Sequence, residues 1–271
     1  MARRTQKRSA ARLTLVVFSA LVFCFLMLPL IIVFPISMSA DPYLRFPPSG
    51  FSWQWFDRFF SDPTWTGAAV RSLQVAAATT ILTLLIGVPL SFSLVRGNYI
   101  GRAVIDRMVA APIIVPTIII SIAVYGLFAQ MQMIGTWYGL TLAHALLALP
   151  FVVIIVSAGL KSFDESLEDA AVGLGASKFI AIWRVTLPQI RPSILSAAFL
   201  AFITSFDELI ISMFLSGSNF TLPKKMFDNI RMEIDPTVAA VSVIQIIVVT
   251  TVLLIWAVTQ RQIIKHDQGK R

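Results

Sequence analysis

Six long apolar stretches, separated by shorter polar connections, dominate the pattern of residues along this chain. Each stretch is long enough, as an α-helix, to cross the roughly 30 Å hydrocarbon core of a bilayer. Strict alternation of apolar and polar residues, which is typical of half-buried strands, does not extend over any of them. We therefore predict six transmembrane helices, at Leu13–Met38, Gly67–Val95, Val104–Phe128, Trp137–Leu160, Pro192–Leu215 and Val238–Gln260.

The composition agrees with a membrane protein. Hydrophobic residues make up 57% of the chain and charged residues only 13%, which excludes an ordinary soluble domain. The predicted fold class is all-α. The predicted organisation is a basic tail at 1–12, a six-helix membrane domain at 13–260, and a second tail at 261–271. The longest connection rich in charge, 161–191, lies between the fourth and fifth helices.

The basic residues predict the orientation in the membrane, because loops on the cytoplasmic side carry an excess of Lys and Arg. Most of the 22 basic residues fall in the two tails, the connection between the second and third helices, and segment 161–191. We therefore expect a multi-pass membrane protein with both termini cytoplasmic. The net charge of +8 is then a topology signal, and no nucleic-acid-binding element accompanies it.

The first apolar stretch has one alternative interpretation. Ser37-Met38-Ser39 is acceptable as a signal-peptide cleavage site, but the stretch is about twice a typical signal-peptide core, and we predict an uncleaved helix. Its Cys24 is the only cysteine of the chain. With one cysteine and two histidines, the sequence supports neither a disulfide nor a metal site.

Segment 161–191 predicts two short helices at the membrane surface. Apolar residues recur there at helical spacing, with acidic residues between them: Phe163, Leu167, Ala170 and Leu174 on one face, and Asp164, Glu165, Glu168 and Asp169 on the other. Gly175 is expected to break the first helix, Ser177 to cap the second, and Pro188 to end it.

The same segment resembles the cytoplasmic coupling loop of binding-protein-dependent ABC importer permeases. The family pattern is Glu-Ala-Ala, three residues, Gly, nine residues, and Ile-x-Leu-Pro. Here Asp169-Ala170-Ala171 precedes Gly175, and Val185-x-Leu187-Pro188 follows at the same spacing, with Asp for Glu and Val for Ile. The resemblance implies that the loop contacts an ATPase through Glu168, Asp169, Ala170, Ala171, Gly175, Val185, Leu187 and Pro188.

Polar residues inside the predicted helices are candidates for a solute pathway. Asp207 and Glu208 lie deep in the fifth helix, where unpaired carboxylates would cost about 2.5–3.5 kcal/mol each. They either attract a cation along the pathway, or are protonated or bridged to a basic group. His144 and Gln245 are weaker candidates, since a single polar residue in a bundle also serves as a hydrogen bond between helices.

Two connections on the outer side have alternative interpretations. Segment 41–66 is rich in aromatic residues, which form an interfacial belt, a docking face for a periplasmic binding protein, or both. Segment 216–237 predicts a short helix, Lys224–Glu233, ended by Asp235-Pro236. That helix is either a docking surface or a solvated hairpin.

Within the importer family, three further stretches are similar to the spermidine/putrescine permeases: Thr204–Glu208, Phe214–Gly217 with Thr221-Leu222-Pro223, and Leu149–Val153. The resemblance implies a permease that moves a small cation, such as a polyamine, inward by alternating access. It also implies a place in the bacterial inner (plasma) membrane, a paralogous permease subunit, two cytoplasmic ATPase subunits that bind ATP and Mg, and a periplasmic substrate-binding protein. No cofactor is expected on this chain.

Alternatives remain open at this point. The solute could be an amino-acid derivative or an aminophosphonate. The chain has no G-x-x-x-x-G-K sequence, so ATP hydrolysis would belong to a partner. A membrane-embedded enzyme would need a polar cluster at one membrane level, which the scattered His144, Asp207 and Glu208 do not form. A channel that works alone is disfavoured by the coupling pattern.

Overall fold

The computed structural model describes residues 2–232 and 235–268, and their regular structure is helical apart from a single antiparallel bridge between Ser39 and Phe51. The chain forms two compact units. One comprises Met1–Pro63 with Asp228–Val248, and the other Thr64–Phe227 with Val249–Arg271. The prediction of an all-α membrane protein is confirmed.

The first unit contains α1 (Ala2–Ser37) and α2 (Gln54–Ser61). Helix α2 buries Trp55 and Phe59 and fixes the loop before it, because the Trp55 indole N–H donates to the Ser39 carbonyl at 2.7 Å. On the same helix, Arg58 pairs with Asp235 at 2.8 Å.

The second unit contains most of the remaining helices. In chain order they are α3 (Pro63–Arg96), α4 (Arg102–Ile114), α5 (Thr117–Gln130), α6 (Trp137–Lys161), α7 (Ser166–Gly173), α8 (Lys178–Ala181), α9 (Leu187–Gln189), α10 (Arg191–Phe206) and α11 (Ile210–Leu215). Two helices run across the division between the units, α12 (Leu222–Met232) and α13 (Thr237–Gln268). Helix α12 confirms the predicted short helix, except that Glu233 lies outside the described residues.

Four of the described helices are long and apolar enough to cross a membrane, in α1, α3, α6 and α13, and two bent pairs raise the number to six if each pair is one span. The third predicted helix is bent, since α4 and α5 meet at an angle of 107°. The fifth helix also differs from prediction. It stops at Phe206, Asp207–Leu209 interrupt it, and α11 follows.

Proline chemistry explains the bend between α4 and α5. Pro116 has no N–H to donate and disfavours a helical conformation at the residue before it. Val115 is accordingly extended, with φ −78° and ψ 129°. Pro89 and Pro150, by contrast, lie inside α3 and α6, which continue past them.

The core of the second unit surrounds α6. Towards one end, Leu140 and Ala143 pack against residues of α5 and α11. Towards the other end, Val152 and Val156 pack against α10 and α3. Gly87 allows the close approach of α3 to α6, because a Cβ placed there would lie 2.7 Å from a methyl group of Val152.

Candidate functional site

The turn after α7 has the conformation that the sequence predicts. Gly175 is left-handed, with φ +93°, and its N–H donates to the Val172 carbonyl at 2.9 Å. The next N–H, of Ala176, reaches back to Ala171 at 3.1 Å. These two bonds end the helix in a Schellman-type cap, which favours glycine at the left-handed position. Ser177 then caps α8 by accepting from the Ile180 N–H at 3.3 Å.

The second helix ends at Gln189, one residue after the predicted end at Pro188. After α8 the chain widens into a π-helical turn, Ile182–Thr186, in which the Leu187 N–H donates to Ile182. The helical path then continues through α9 to Gln189. Because Pro188 has no N–H, it cannot bond the carbonyl four residues earlier, and a wider turn at this point accommodates that loss.

Glu168 joins three parts of the second unit. Its Oε2 accepts from Arg96 Nη1 at 2.6 Å, at the end of α3, and from Thr186 Oγ1 at 2.5 Å, at the end of the π turn. The Arg96 guanidinium also lies over the rings of Phe92 and Phe163, at 5.2 and 5.7 Å from their centroids. The exposed fraction of the Glu168 side chain is 14%.

These contacts determine the ionisation of Glu168. Burial alone would raise its pKa, but the hydrogen bonds from Thr186 and Arg96 and the charges of Arg96 and Lys178 favour the carboxylate. The net effect is a pKa below the ordinary value of 4.5. Glu168 is therefore ionised at neutral pH and holds the loop to the end of α3.

The predicted division of this segment into an apolar and an acidic face is wrong in part. Helix α7 is too short to include Phe163 or Leu174, and Leu174 is 91% exposed whereas Glu168 turns inward. The exposed positions of the predicted coupling set are Asp169, Ala170, Gly175 and Pro188, and the half-buried positions are Ala171, Val185 and Leu187. Glu168 turns inward to accept the charge-assisted hydrogen bond from Arg96 and the hydrogen bond from Thr186.

His144 lies inside the helix packing rather than on an open path. Its side chain is buried, with Nδ1 2.9 Å from Ser205 Oγ of α10 and Nε2 3.4 Å from Ser212 Oγ of α11. Both ring nitrogens therefore face serine hydroxyls on neighbouring helices. This arrangement corresponds to the alternative of a hydrogen bond between helices, and a place for His144 on the solute pathway stays a prediction.

Asp207 and Glu208 lie at the interruption between α10 and α11, not within a continuous helix. Asp207 is exposed and Glu208 is half-buried. One Glu208 oxygen accepts from the Ile211 N–H at 3.0 Å and so caps α11. Glu208 and Thr204 also line a cavity of about 370 Å³, whose other walls come from the bend between α4 and α5 and from Leu147 and Phe151.

Gln245 is half-buried on the part of α13 that belongs to the first unit. The structure therefore brings Glu208 together with the proline bend, and does not bring His144 to the same cavity. Sequence reasoning used Arg96 only as a signal of orientation and missed its contact with Glu168. Pro112 and Pro116 both lie in the wall of the cavity.

Comparison with known proteins adds the family. Residues 81–265 match the family described as the binding-protein-dependent transport system inner membrane component. A spermidine/putrescine transport system permease protein of Haemophilus influenzae is 29% identical over 231 residues, which cover 85% of this chain and 90% of that protein. A putrescine transport system permease protein of Escherichia coli K12 is 31% identical over 202 residues, 72% of each chain.

A solved structure supports the fold. It belongs to a bacterial ABC transporter involved in the import of the acidic polysaccharide alginate. The TM-score is 0.70 at 18% sequence identity, and the match covers 92% of this chain and 96% of that chain.

Proposed function

The chain belongs to the family of binding-protein-dependent transport system inner membrane components, and from that premise we propose that it moves a small cation, a polyamine such as spermidine or putrescine. Members of this family are permease subunits of ABC importers and not enzymes. The polyamine assignment rests on one observation above all: two polyamine permeases, 29% and 31% identical, match 85% and 72% of the chain. Glu208 is consistent with it, since a carboxylate among apolar walls attracts an aliphatic cation.

ABC importer permeases work with ATPase subunits and a substrate-binding protein. For this chain we propose a paralogous permease as the second membrane subunit, two cytoplasmic ATPase subunits that bind ATP and Mg, and a periplasmic binding protein. In this proposal α4 and α5 together form one span and α10 with α11 another, which with α1, α3, α6 and α13 gives six spans with cytoplasmic termini. The two permeases would alternate between inward- and outward-facing states.

In this proposal the turn at Gly175 and the exposed residues of α7, Asp169 and Ala170, contact the ATPase. Glu168 does not contact it directly, because Arg96 and Thr186 already occupy its carboxylate. Its role is to hold the exposed part of α7 in a fixed position relative to α3. Closure of the ATPase dimer would then move the loop and α3 together.

The experiment is ATP-driven uptake by the whole complex in vesicles, comparing labelled putrescine and spermidine with an anionic solute. The Glu208→Gln variant is expected to retain ATP hydrolysis and lose polyamine uptake, since the amide keeps the shape of the side chain but not its charge. Asp207→Asn, at the exposed neighbour, is the matched control and is expected to lose less. Absence of polyamine uptake by the unaltered complex would overturn the substrate assignment.

A second candidate has one observation in its favour. Glu208 already caps α11 through the Ile211 N–H, so its carboxylate has a structural function without any solute. The importer would then carry another small solute, such as an amino-acid derivative or an aminophosphonate. Under that hypothesis the Glu208→Gln variant would show normal uptake once its assembly is normal.

A further inference from the structure

The segment Lys178–Gln189, between the turn at Gly175 and α10, has an aromatic and basic surface made by residues other than its predicted ATPase contacts, Val185, Leu187 and Pro188. Phe179 and Trp183 stack with ring centroids 6.3 Å apart, and their exposed fractions are 73% and 65%. The opposite face is buried through Ala181 and Thr186. The aromatic pair therefore points away from the rest of the second unit.

The charge of this segment differs from that of α7. The chain from Ala176 to Arg191 contains no acidic residue and three basic ones, Lys178, Arg184 and Arg191. The preceding stretch contains four acidic residues, Asp164, Glu165, Glu168 and Asp169. The loop thus has an acidic half, before Gly175, and a basic aromatic half after it.

The direction of the segment places it near the membrane surface. Lys178–Gln189 and Arg191–Phe206 meet at an angle of 68°, and the second of these enters the apolar region. When α10 crosses the bilayer, the segment before it therefore runs closer to the membrane plane than to its normal. Aromatic rings beside basic residues on such a helix are typical of the boundary between headgroups and acyl chains.

We propose that Lys178–Gln189 binds the cytoplasmic lipid surface, with Phe179 and Trp183 in the headgroup–acyl boundary and Lys178 and Arg184 on anionic lipid headgroups. The acidic half of the loop is then left for the ATPase, and the basic half holds the loop at a fixed depth. Lipid binding by Lys178–Gln189 does not depend on the importer proposal. Only the contact between the ATPase and the acidic half of the loop rests on it. The observation that favours lipid over protein is the combination of unpartnered stacked rings and positive charge beside a membrane-entering helix.

The test is spin-label accessibility in the whole complex, reconstituted in vesicles of phosphatidylcholine with phosphatidylglycerol. Cys24→Ser removes the one native cysteine, and Trp183→Cys then carries the label. The expected result is high accessibility to oxygen and low accessibility to a water-soluble nickel complex. Phe179→Cys, on the same face, repeats the measurement if the first variant assembles poorly.

Leu174→Cys is the matched control, because it is exposed but lies in the turn after α7. A label there is expected to be shielded from both reagents by the ATPase. High nickel access at position 174 would count against the ATPase contact without affecting the lipid inference. Shielding of position 183 from both reagents, or high nickel access there, would overturn the lipid inference.

The proposed contacts between the basic residues and anionic lipid headgroups are tested by a separate measurement. Each basic residue near an anionic surface strengthens membrane binding about fivefold, or roughly 1 kcal/mol. Arg184→Gln is therefore expected to raise nickel access at position 183 in vesicles that contain phosphatidylglycerol. In vesicles of phosphatidylcholine alone the substitution should make no difference, and an equal effect in both lipids would overturn the role of anionic headgroups.

Discussion

Arg96 Nη1 lies 2.6 Å from Glu168 Oε2, although the two residues are 72 positions apart in the chain. The contact joins the end of a long apolar helix to the short helix that carries the family's coupling pattern. The remaining nitrogens of Arg96, Nε and Nη2, are buried and make no hydrogen bond with the described residues. One charged hydrogen bond to Glu168, an ion pair of Nε with Glu165 Oε1 at 3.7 Å and two ring faces therefore hold Arg96 in place.

Removal of the Arg96 charge should loosen the loop. Arg96→Met leaves the Glu168 carboxylate with Thr186 alone, and hydrogen bonds to charged groups contribute about 1.5–3 kcal/mol. We expect the complex to hydrolyse ATP but to move less solute for each ATP consumed. The measurement is the ratio of uptake to hydrolysis in vesicles.

Two variants make this test specific. Arg96→Lys keeps the charge and should recover part of the ratio, whereas Arg107→Met removes an exposed basic residue of α4 and should leave it unchanged. In a double-mutant cycle, Arg96→Met and Glu168→Gln should be less than additive because they remove the same contact. Full additivity would show that the two side chains act independently.

The same contact predicts a dependence on pH. The pKa of Glu168 is lowered in the folded loop, so the folded loop binds fewer protons than the unfolded one as the pH falls below the ordinary value of 4.5. The stabilisation is therefore complete above that pH and is lost as the pH falls through the lowered pKa. Hydrogen exchange of residues 166–173, corrected for the intrinsic rate, should accelerate only at the acidic end.

Glu168→Gln provides the control for pH. The amide cannot titrate, so the loop of this variant should exchange faster at neutral pH. On acidification it should keep only the change due to Asp164, whose pKa is lowered by its hydrogen bonds from Ser166. An unaltered protein whose loop exchange showed no dependence on pH would contradict the role of the carboxylate.

The parts of the site that the sequence predicted are those that local chemistry determines. Gly175 and Ser177 form a turn and a cap from neighbouring residues alone, and both are where the pattern places them. The contact between Arg96 and Glu168 was not predictable in this way, because it depends on how α3 packs against a distant loop. The interruption of the helix at Asp207 was not predictable from local sequence either, since no glycine or proline lies between Phe206 and Ile210.

The helix packing also yields a prediction, at Gly87. A Cβ there would lie 2.7 Å from a stiff Val152 side chain, so Gly87→Ala forces α3 away from α6. Overpacking of this kind costs about 1–3 kcal/mol, more than the roughly 0.5–1 kcal/mol that alanine gains over glycine in a helix. The thermal unfolding temperature of the purified protein in detergent should fall.

Gly67→Ala is the matched control on the same helix, because nothing lies within 4 Å of the added methyl group. It should keep or raise the unfolding temperature. Equal unfolding temperatures for the two variants would show that the close approach of α3 to α6 does not require a residue without a side chain at position 87.

A substitution at Gly175 should destabilise the turn through backbone strain and not through steric overlap. Nothing lies within 4 Å of a Cβ placed at Gly175 or at Gly173, but only Gly175 has a positive φ, of +93°. Gly175→Ala should therefore strain the turn by about 1–2 kcal/mol, whereas Gly173→Ala should be neutral or slightly stabilising. Gly175→Glu adds a charge to the same strain and is expected to abolish uptake while the protein remains in the membrane. Uptake and membrane abundance measured together separate these results, and normal uptake by Gly175→Glu would refute the coupling role of this loop.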